Sequence, residues 1–242
     1  ICESAFTGPD RKTVKPFVQK LIDAGFTVAN MYPGGYFPLF DPKPGEQAPY
    51  SGAYRAEVEA MHKAGMEVLA GTYPTIGEAF GLRVLIQQHP QYWLRNPLRS
   101  DTPRTACLLS GYGDAVIKLL VHYLKKYDRD GYQFDGWYQF CYCDCDACRK
   151  RYKADTGLDI PPRQDTRDPA YLRYLVWRDQ KLFEITVKLE KAIKAAKPSA
   201  AIVIWNINDH AFNYPSGMPE QLDCVTDWIN KEWWDANNVS SI

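Results

Sequence analysis

The hydrophobic positions of this chain fall into short compact runs that alternate with longer segments in which apolar residues recur at helical spacing. Compact apolar runs predict buried strands, and a spacing of three and four residues predicts helices with one apolar face. Strands are predicted in this way at residues 1–6, 26–31, 66–72, 131–134, 200–205 and 222–226. Helices are predicted at residues 10–24, 51–64, 114–127, 147–156 and 169–196.

The residues at the helix ends agree with this alternation. Gly25, Gly65 and Gly157 follow three of the predicted helices, where glycine commonly closes the last turn, and a Lys-Pro pair at 197–198 stops the longest helix. Strands that alternate with helices of this length indicate parallel βαβ units, which close into a barrel or form an open doubly wound sheet.

We predict one α/β domain over residues 1–242, a (β/α)8 TIM-barrel-like fold with a cysteine-rich loop at 139–152. Six βα units are recognisable, and a complete barrel needs eight, so we expect an incomplete barrel. The connection at residues 32–49 is long for a plain turn, and such connections commonly carry function, so we expect it to contribute to a site or to form a lid. The segment at residues 73–113 is predicted to be loop-rich.

Charge and composition narrow the range of partners. The 29 lysines and arginines balance 29 aspartates and glutamates, so the net charge favours neither a nucleic acid nor an anionic membrane. No apolar run is long enough to span a bilayer, which predicts a soluble protein. It could be cytoplasmic, or secreted with a leader removed ahead of Ile1. The 16 tyrosines and 7 tryptophans suit a carbohydrate partner, because ring faces stack on sugars, and assembly into a homo-oligomer stays open.

An acid at the end of a predicted strand is the first candidate for chemistry. The strand at 131–134 is followed by Asp135, then Gly136, and then the aromatic residues Trp137, Tyr138, Phe140 and Tyr142. An Asp-Gly pair alone is most often a plain turn. In α/β folds, however, the loops after the strands build the active centre, so we expect Asp135 to face a site.

Polar residues also follow the next two predicted strands. Asn206, Asp209 and His210 come after the fifth strand, and Asp227 and Glu232 come after the sixth. Because parallel strands end at the same edge of a sheet, we expect these residues near the first candidate acid. A solvated acid in a loop is the alternative for each carboxylate.

The cysteines are clustered in one loop. Cys141, Cys143, Cys145 and Cys148 form the pattern Cys-x-Cys-x-Cys-x-x-Cys, in which four thiolates could surround one ion. Tetrahedral sulfur ligation favours a structural zinc ion that holds a loop together. Cys107 could replace Cys141 as the fourth ligand. Reduced thiols or one disulfide are the alternative, and the spacing matches neither of the common iron–sulfur runs.

Several stretches follow one another in an order that resembles a known family. They are HKAGMEVLAGTYP, QHPQYWLRN, YDRDGYQFDGWYQF and CYCDCDACRKRYKADTGLDIP, with WRDQ ahead of the longest helix. Over residues 64–161 the chain resembles hypothetical glycosyl hydrolase family six, relatives of the barrel glycosidases. The Cys-x-Cys-x-x-Cys at 143–148 is similar to the zinc cluster of family-forty-two β-galactosidases, whose fourth ligand lies upstream. That likeness implies Cys107 rather than Cys141 as the fourth ligand.

The resemblance implies glycoside hydrolysis, which needs two carboxyl groups that flank the scissile bond. Asp135 is the first. The similar α-galactosidase and α-fucosidase barrels place an aspartate nucleophile after strand four and the acid after strand six, which implies Asp227 or Glu232 as the partner. Glu232 is preferred, because Trp233 and Trp234 beside it form an apolar wall that favours a protonated carboxyl group. We therefore predict a retaining glycosidase that acts on an oligo- or polysaccharide.

Further residues at this edge are predicted to contact the sugar. Those that could stack on its ring are Tyr32, Tyr73 and Trp137, and those that could bond its hydroxyls are Asn206, Asp209 and His210. Two other classes of protein fit the sequence: a carbohydrate-binding barrel without paired acids, and a zinc-assembled interaction module that uses Tyr142 and the basic residues 149–151. A catalytic zinc is least favoured, because four cysteines leave no open position.

Overall fold

Five parallel strands form the centre of the computed structural model, which describes residues 18–31, 58–75, 82–96, 105–135, 137, 142–162, 164–165, 167–206 and 228–231. The strands lie side by side in chain order. They are β1 (Val28–Met31), β2 (Glu67–Thr72), β3 (Gly131–Asp135), β4 (Ala201–Asn206) and β5 (Trp228–Lys231). Every pair of neighbours is parallel, so the five carboxyl ends lie at one edge of the sheet.

Helices lie between β1 and β2, between β2 and β3 and between β3 and β4 along the chain, as parallel neighbours require. The described helical segments are α1 (residues 18–23), α2 (residues 58–63), α3 (Leu82–Gln88), α4 (Tyr112–Lys126), α5 (Asp146–Thr156) and α6 (Pro169–Ala196), with a 3-10 turn at Pro90–Tyr92. In the described parts of the chain, no helix combines the length and apolarity needed to cross a membrane.

The structure confirms most of the predicted elements. The longest helix has the predicted bounds, because Pro169 supplies a first-turn residue without an N–H and the Asp168 side chain accepts a 2.8 Å hydrogen bond from the Ala170 amide. The strands predicted at 26–31, 66–72, 131–134 and 200–205 correspond to β1 to β4. The strand predicted at residues 1–6 lies outside the described residues.

Two predictions differ from the structure. The segment after β2, predicted to be loop-rich, contains α3, whose sequence LRVLIQQ is too short to display a helical period. β5 (Trp228–Lys231) was not among the predicted strands, because its polar residues Asn230 and Lys231 hide the apolar pattern of a strand. The strand predicted at 222–226 lies outside the described residues. Asp227 therefore precedes β5, whereas Glu232 follows it.

The two sides of the sheet differ in character because side chains alternate along each strand. On β3, Tyr132 faces the helices, and its hydroxyl donates a 2.6 Å hydrogen bond to the Leu120 carbonyl oxygen of α4. Phe134 shares that side and is fully buried. Gln133 lies on the side away from the helices.

A buried amide pair spans the side of the sheet that faces away from the helices. Asn30 Nδ2 on β1 donates to Gln133 Oε1 on β3, although β2 lies between these strands. The residue of β2 in register with Gln133 is Gly71, which has no side chain to block the contact. Both amides are buried, so this polar contact belongs to the interior of the fold.

The opposite, amino edge of the sheet is held by a polar cluster around Asp130. One carboxylate oxygen of Asp130 accepts a 2.9 Å hydrogen bond from the Val68 amide and lies 2.6 Å from His62 Nε2. The other oxygen accepts a 2.8 Å hydrogen bond from Lys197 Nζ. Burial raises the pKa of Asp130, but the combined effect of these partners lowers it by more. The net pKa is therefore below its ordinary value.

This cluster predicts a pH-dependent contribution to stability. A carboxyl group whose pKa is lower in the folded state stabilises the fold above its unfolded pKa of about 3.9, and this stabilisation is lost as the pH falls through the folded pKa. We expect Asp130→Asn to lower the free energy of unfolding by about 2 kcal/mol at pH 7, measured by urea titration. The difference from the wild type should shrink at pH values below about 4.

The matched control is Asp114→Asn, which removes a half-exposed ion pair with Lys188. It should change the free energy of unfolding by less than about 1 kcal/mol at either pH. An Asp130→Asn loss of the same size at neutral and acid pH would contradict the assignment.

The first residue of β3 must be glycine. Gly131 has a φ of +157°, and a Cβ there would lie 2.1 Å from the Ala201 carbonyl oxygen of the paired strand. Because that atom is backbone, we expect Gly131→Ala to lower the free energy of unfolding by about 3 kcal/mol. Gly157→Ala is the control, since its φ is +73° but no atom lies within 4 Å. It should cost about 1–2 kcal/mol by urea titration, and equal losses would refute the steric explanation.

Candidate metal centre and carboxyl edge of the sheet

Four cysteines meet at one buried point. The sulfur atoms of Cys107, Cys143, Cys145 and Cys148 all lie within 4.8 Å of one another, and Cys107 Sγ is 3.5 Å from Cys148 Sγ. A tetrahedral zinc ion with bonds of about 2.3 Å needs sulfur atoms about 3.8 Å apart. The donor set and its spacing therefore fit an ion of this kind, and we call these four residues the cysteine centre.

Cys107 is held by backbone hydrogen bonds in the long segment that follows β2. Trp93 and Ala106 form an antiparallel bridge, and the Cys107 amide donates a 2.8 Å hydrogen bond to the Tyr92 carbonyl oxygen. The Ala106 amide donates a 2.7 Å hydrogen bond to the Thr75 carbonyl oxygen, just past the end of β2. Cys107 is thus fixed to the loop that leaves β2.

The other three cysteines come from the loop after β3 and the start of α5. Arg95 links this loop to the preceding segment: its carbonyl accepts a 2.9 Å hydrogen bond from the Asp144 amide, and its own amide lies 3.4 Å from Cys143 Sγ. Cys145 is the N-cap of α5, and Cys148 lies in its first turn. The positive end of the helix dipole there favours thiolates.

The four thiols share their protons unequally. Hydrogen bonds from Cys107, Cys143 and Cys148 hold the pKa of the Cys145 thiol well below its usual value. The pKa of Cys107 is raised instead, chiefly by its hydrogen bond to Cys143. Four neighbouring thiolates repel one another, and a divalent cation would take the place of the shared protons.

Aromatic side chains enclose the cysteine centre. The Tyr174 hydroxyl of α6 donates a 2.5 Å hydrogen bond to the Cys143 carbonyl oxygen and accepts one of 3.1 Å from the Cys143 amide. Tyr152 of α5 packs edge-on against Tyr174, with ring centroids 5.4 Å apart. Trp177 continues this packing beside both rings. All four cysteines beside these rings are buried, at 3% exposure or less.

A buried cation lies beside the same cluster. Arg178 follows Tyr174 by one helical turn on α6 and is only 3% exposed. Its Nε is buried without a hydrogen-bond partner, and within the described residues no carboxylate lies at ion-pair distance from its guanidinium. Burial lowers its pKa, but interactions with Tyr174 first, and then with Cys107, Cys148 and Cys143, raise the pKa overall. The sequence signal was a charged residue on the apolar face of a long helix, which the prediction passed over.

Asp135 is the last residue of β3, at the carboxyl edge of the sheet. It is in register with Trp205 on β4, which is in register with Asn230 on β5. Asn206 ends β4 and pairs with Lys231, so the predicted residues 135 and 206 lie at the same edge. Tyr73 directly follows β2 and is half-buried. Because Thr72 pairs with Phe134, residues 73 and 135 stand at the same level of neighbouring strands.

Trp137 is a core residue in this structure. Its side chain is 1% exposed, its Nε1 donates a 2.9 Å hydrogen bond to Thr186 Oγ1 of α6, and its ring packs on Phe134. A ring enclosed in this way offers no face to a sugar, so the predicted stacking role of Trp137 is not supported.

The remaining predicted site residues lie outside the described residues. They are Tyr32, Cys141, Asp209, His210, Asp227 and Glu232. The structure thus brings together Cys107, Cys143, Cys145 and Cys148, and it places 73, 135 and 206 at one edge of the sheet.

A groove of about 920 Å³ runs between the end of α5 and the start of α6. Its walls include the exposed apolar side chains Leu158, Leu172 and Val176. None of the predicted catalytic or sugar-binding residues lines it. It lies on the helix side, so we do not assign it to the substrate.

Parallel strands that lie in chain order and are joined by crossover helices are the arrangement of an α/β barrel, and Asp135 ends one of these strands. The chain belongs to the glycosyl hydrolase-like 10 family, whose model matches residues 30–239. The predicted relation to barrel glycosidases is therefore confirmed, whereas the family number six is not. No curated protein matches the sequence.

Solved glycosidase structures share the fold. A polyextremophilic β-galactosidase from the Antarctic haloarchaeon Halorubrum lacusprofundi is 15% identical, with a TM-score of 0.72 over 100% of this chain and 40% of that chain. A GH42 β-galactosidase from G. stearothermophilus is 11% identical, with a TM-score of 0.64 over 94% of this chain and 38% of its own. α-L-Fucosidase isoenzyme 2 from Paenibacillus thiaminolyticus is 21% identical, with a TM-score of 0.53 over 78% of this chain and 29% of its own.

These similarities confirm the predicted TIM-barrel fold class. At such low identity they concern the fold alone. The chain spans 40% or less of the length of each of these three structures.

Proposed function

We propose that this protein is a retaining glycoside hydrolase that cleaves a glycosidic bond of an oligo- or polysaccharide. The observation that carries the proposal is the position of Asp135 at the carboxyl end of β3, in a chain of a glycosyl hydrolase-like family. In α/β barrels, residues at that end of the strands carry out the chemistry.

Asp135 acts as the nucleophile and Glu232 as the acid and base. In the first step the Asp135 carboxylate attacks the anomeric carbon, while Glu232 donates a proton to the leaving oxygen. In the second step Glu232 takes a proton from water, which attacks the same carbon and releases Asp135. Retention follows because the anomeric carbon is inverted twice.

Glu232 is preferred to Asp227 because of their positions relative to β5. Glu232 directly follows Lys231, the last residue of β5, whereas Asp227 directly precedes its first residue. The amino ends of barrel strands serve stability, and the carboxyl ends serve catalysis. The backbones of β3 and β5 are about 10 Å apart, because one strand lies between them. Two carboxyl groups that both point inward from these positions could reach the shorter carboxyl–carboxyl distance that glycosidases need.

Other residues of this edge bind the substrate. Tyr73, beside the end of β2, stacks on a sugar ring, as does Tyr32 after β1. Asn206 at the end of β4 bonds a sugar hydroxyl, and Asp209 and His210 in the following loop extend these contacts. Trp137 has no part in this list because it is buried.

The cysteine centre holds a structural zinc ion. Cys107, Cys143, Cys145 and Cys148 would occupy all four tetrahedral positions, so such an ion would have no position open for substrate or water. The ion would tie the loop after β2 to the loop after β3. It would shape the active edge without entering the reaction, and Cys141 would not be a ligand.

The test is hydrolysis of a panel of aryl α- and β-glycosides and unmodified oligosaccharides by the purified protein. Release of sugar from one member, with the product first formed in the anomeric configuration of the substrate, supports the proposal. A product first formed in the opposite anomeric configuration would refute the nucleophilic role of Asp135 but would still identify the protein as a glycoside hydrolase. Glycan binding without turnover of any member would identify a carbohydrate-binding barrel instead.

A further inference from the structure

We propose that Arg178 is the counter-cation of the cysteine centre: its buried guanidinium balances the negative charge that four thiolates retain around a divalent ion. This inference rests on the proposed metal site and is independent of the glycosidase activity. It assigns a function to a residue of α6 that contributes no ligand.

The first support is the burial of the charge. Arg178 is 3% exposed, its Nε has no hydrogen-bond partner, and no carboxylate of the described residues forms an ion pair with it. A buried cation whose partner is missing strongly destabilises a fold. A guanidinium in this position therefore needs a negative group close by.

The second support is the helical face on which Arg178 lies. Tyr174, four residues earlier, contacts the backbone of Cys143 through both hydrogen bonds of its hydroxyl. Residues four apart lie on the same face of a helix, so Arg178 is directed towards the same cluster. Burial lowers the pKa of Arg178, whereas Tyr174 first and then Cys107, Cys148 and Cys143 raise it, which agrees with this placement.

The third support is the charge of the metal-loaded centre. Four thiolates and one divalent cation carry a net charge of about −2. Burying that charge is as costly as burying the guanidinium, unless the two face each other. The centre and Arg178 are thus expected to stabilise each other, and each should be unfavourable without the other.

Because each charge should stabilise the other, the effect of removing the Arg178 charge on the melting temperature should depend on whether zinc is bound. Arg178→Met removes the charge and keeps an unbranched apolar stem. With zinc bound, the variant should have a lower melting temperature than the wild type and bind zinc about 10–100-fold more weakly in competition with a chelator of known affinity. Without metal, under reducing conditions, its melting temperature should equal or exceed that of the wild type, because an uncompensated buried charge has been removed.

Two further variants separate charge from packing. Arg178→Lys keeps the charge and should retain zinc affinity within a few-fold of the wild type. Arg173→Met removes an exposed arginine of the same helix and should leave both zinc affinity and melting temperature unchanged. If Arg178→Met does not fold, Arg178→Gln provides the neutral side chain for the same measurements.

Three results would overturn the proposal. One is an equal loss of melting temperature with and without zinc, which is the signature of packing alone. The second is an unchanged zinc affinity in the neutral variants. The third is a wild-type protein that binds neither Zn²⁺ nor Co²⁺, which would also remove the proposed metal site but leave the hydrolysis assay unaffected.

Discussion

The Asp135→Asn variant is expected to lose glycoside hydrolysis by on the order of 10⁴-fold in kcat/KM, the scale seen when a catalytic nucleophile is removed. The physical reason is that the asparagine amide cannot form the covalent glycosyl intermediate. Its shape and size are nearly those of the aspartate carboxylate that it replaces. The measurement is the initial rate on the best aryl glycoside of the panel, for wild type and variant side by side. Substrate binding should be retained, since residue 135 acts on the anomeric carbon rather than on the ring hydroxyls.

Two controls accompany this variant. Asp159→Asn removes an exposed carboxylate that pairs with Lys153 and should leave the rate unchanged. Glu232→Gln should slow substrates with poor leaving groups far more than activated aryl glycosides, because only the former need a proton donor. Residual hydrolysis by Asp135→Asn within about tenfold of the wild type would exclude a nucleophile at this position, since removal of a nucleophile costs far more.

Removal of the metal is expected to lower the free energy of unfolding by about 5 kcal/mol or more, because the binding energy of a structural ion is folding energy. For a chain of 242 residues this corresponds to a fall in melting temperature of about 10 °C or more. The measurement is thermal unfolding before and after chelation under reducing conditions, followed by readdition of zinc. Recovery on readdition distinguishes loss of the ion from oxidation of the thiols.

Cysteine variants provide the matched comparison. Cys107→Ser should reproduce the effect of chelation, because it removes a ligand that joins two loops. Cys141→Ser should leave the melting temperature within about 2 °C of the wild type, since Cys141 is not one of the four proposed ligands. A larger loss in Cys141→Ser than in Cys107→Ser would reverse the assignment of the fourth ligand.

The elements near β3 were predictable because each carries a local signal. The bounds of α6 follow from Asp168 and Pro169 at its start and from the Lys-Pro pair after it. The position of Asp135 at a strand end follows from the apolar run before it and the glycine after it. Such signals act over a few residues, so sequence alone is enough to locate them.

The cysteine centre was only partly predictable. Cys143, Cys145 and Cys148 lie close together in the chain, but Cys107 is brought to them by a backbone bridge between Trp93 and Ala106 that has no local signature. The resemblance to another zinc cluster pointed to it, whereas spacing left it open. Arg178 was missed for a related reason. A charged residue on the apolar face of a helix normally reaches solvent, and only tertiary packing decides whether its side chain is buried instead.

β5 was not predicted, because short strands with polar ends resemble loops. Its pairing with β4 is what identifies Trp228–Lys231 as a strand, and that pairing has no local signature in the sequence. The position of β5 decides which acid of the region follows the strand and which precedes it. A strand boundary of a few residues thus becomes a choice between two catalytic assignments.

The amide contact between Asn30 and Gln133 also favours the native alignment of the strands over shifted alignments. It joins β1 to β3 across β2, and it forms only when all three strands have the native register. A slip of one residue in either outer strand would turn its amide to the helix side, and the other amide would stay in the interior without this contact. Each buried hydrogen bond that is not made costs about 1–3 kcal/mol. Misaligned forms of this sheet are therefore disfavoured by their polar groups as well as by their apolar side chains, which the same slip would turn to the opposite side.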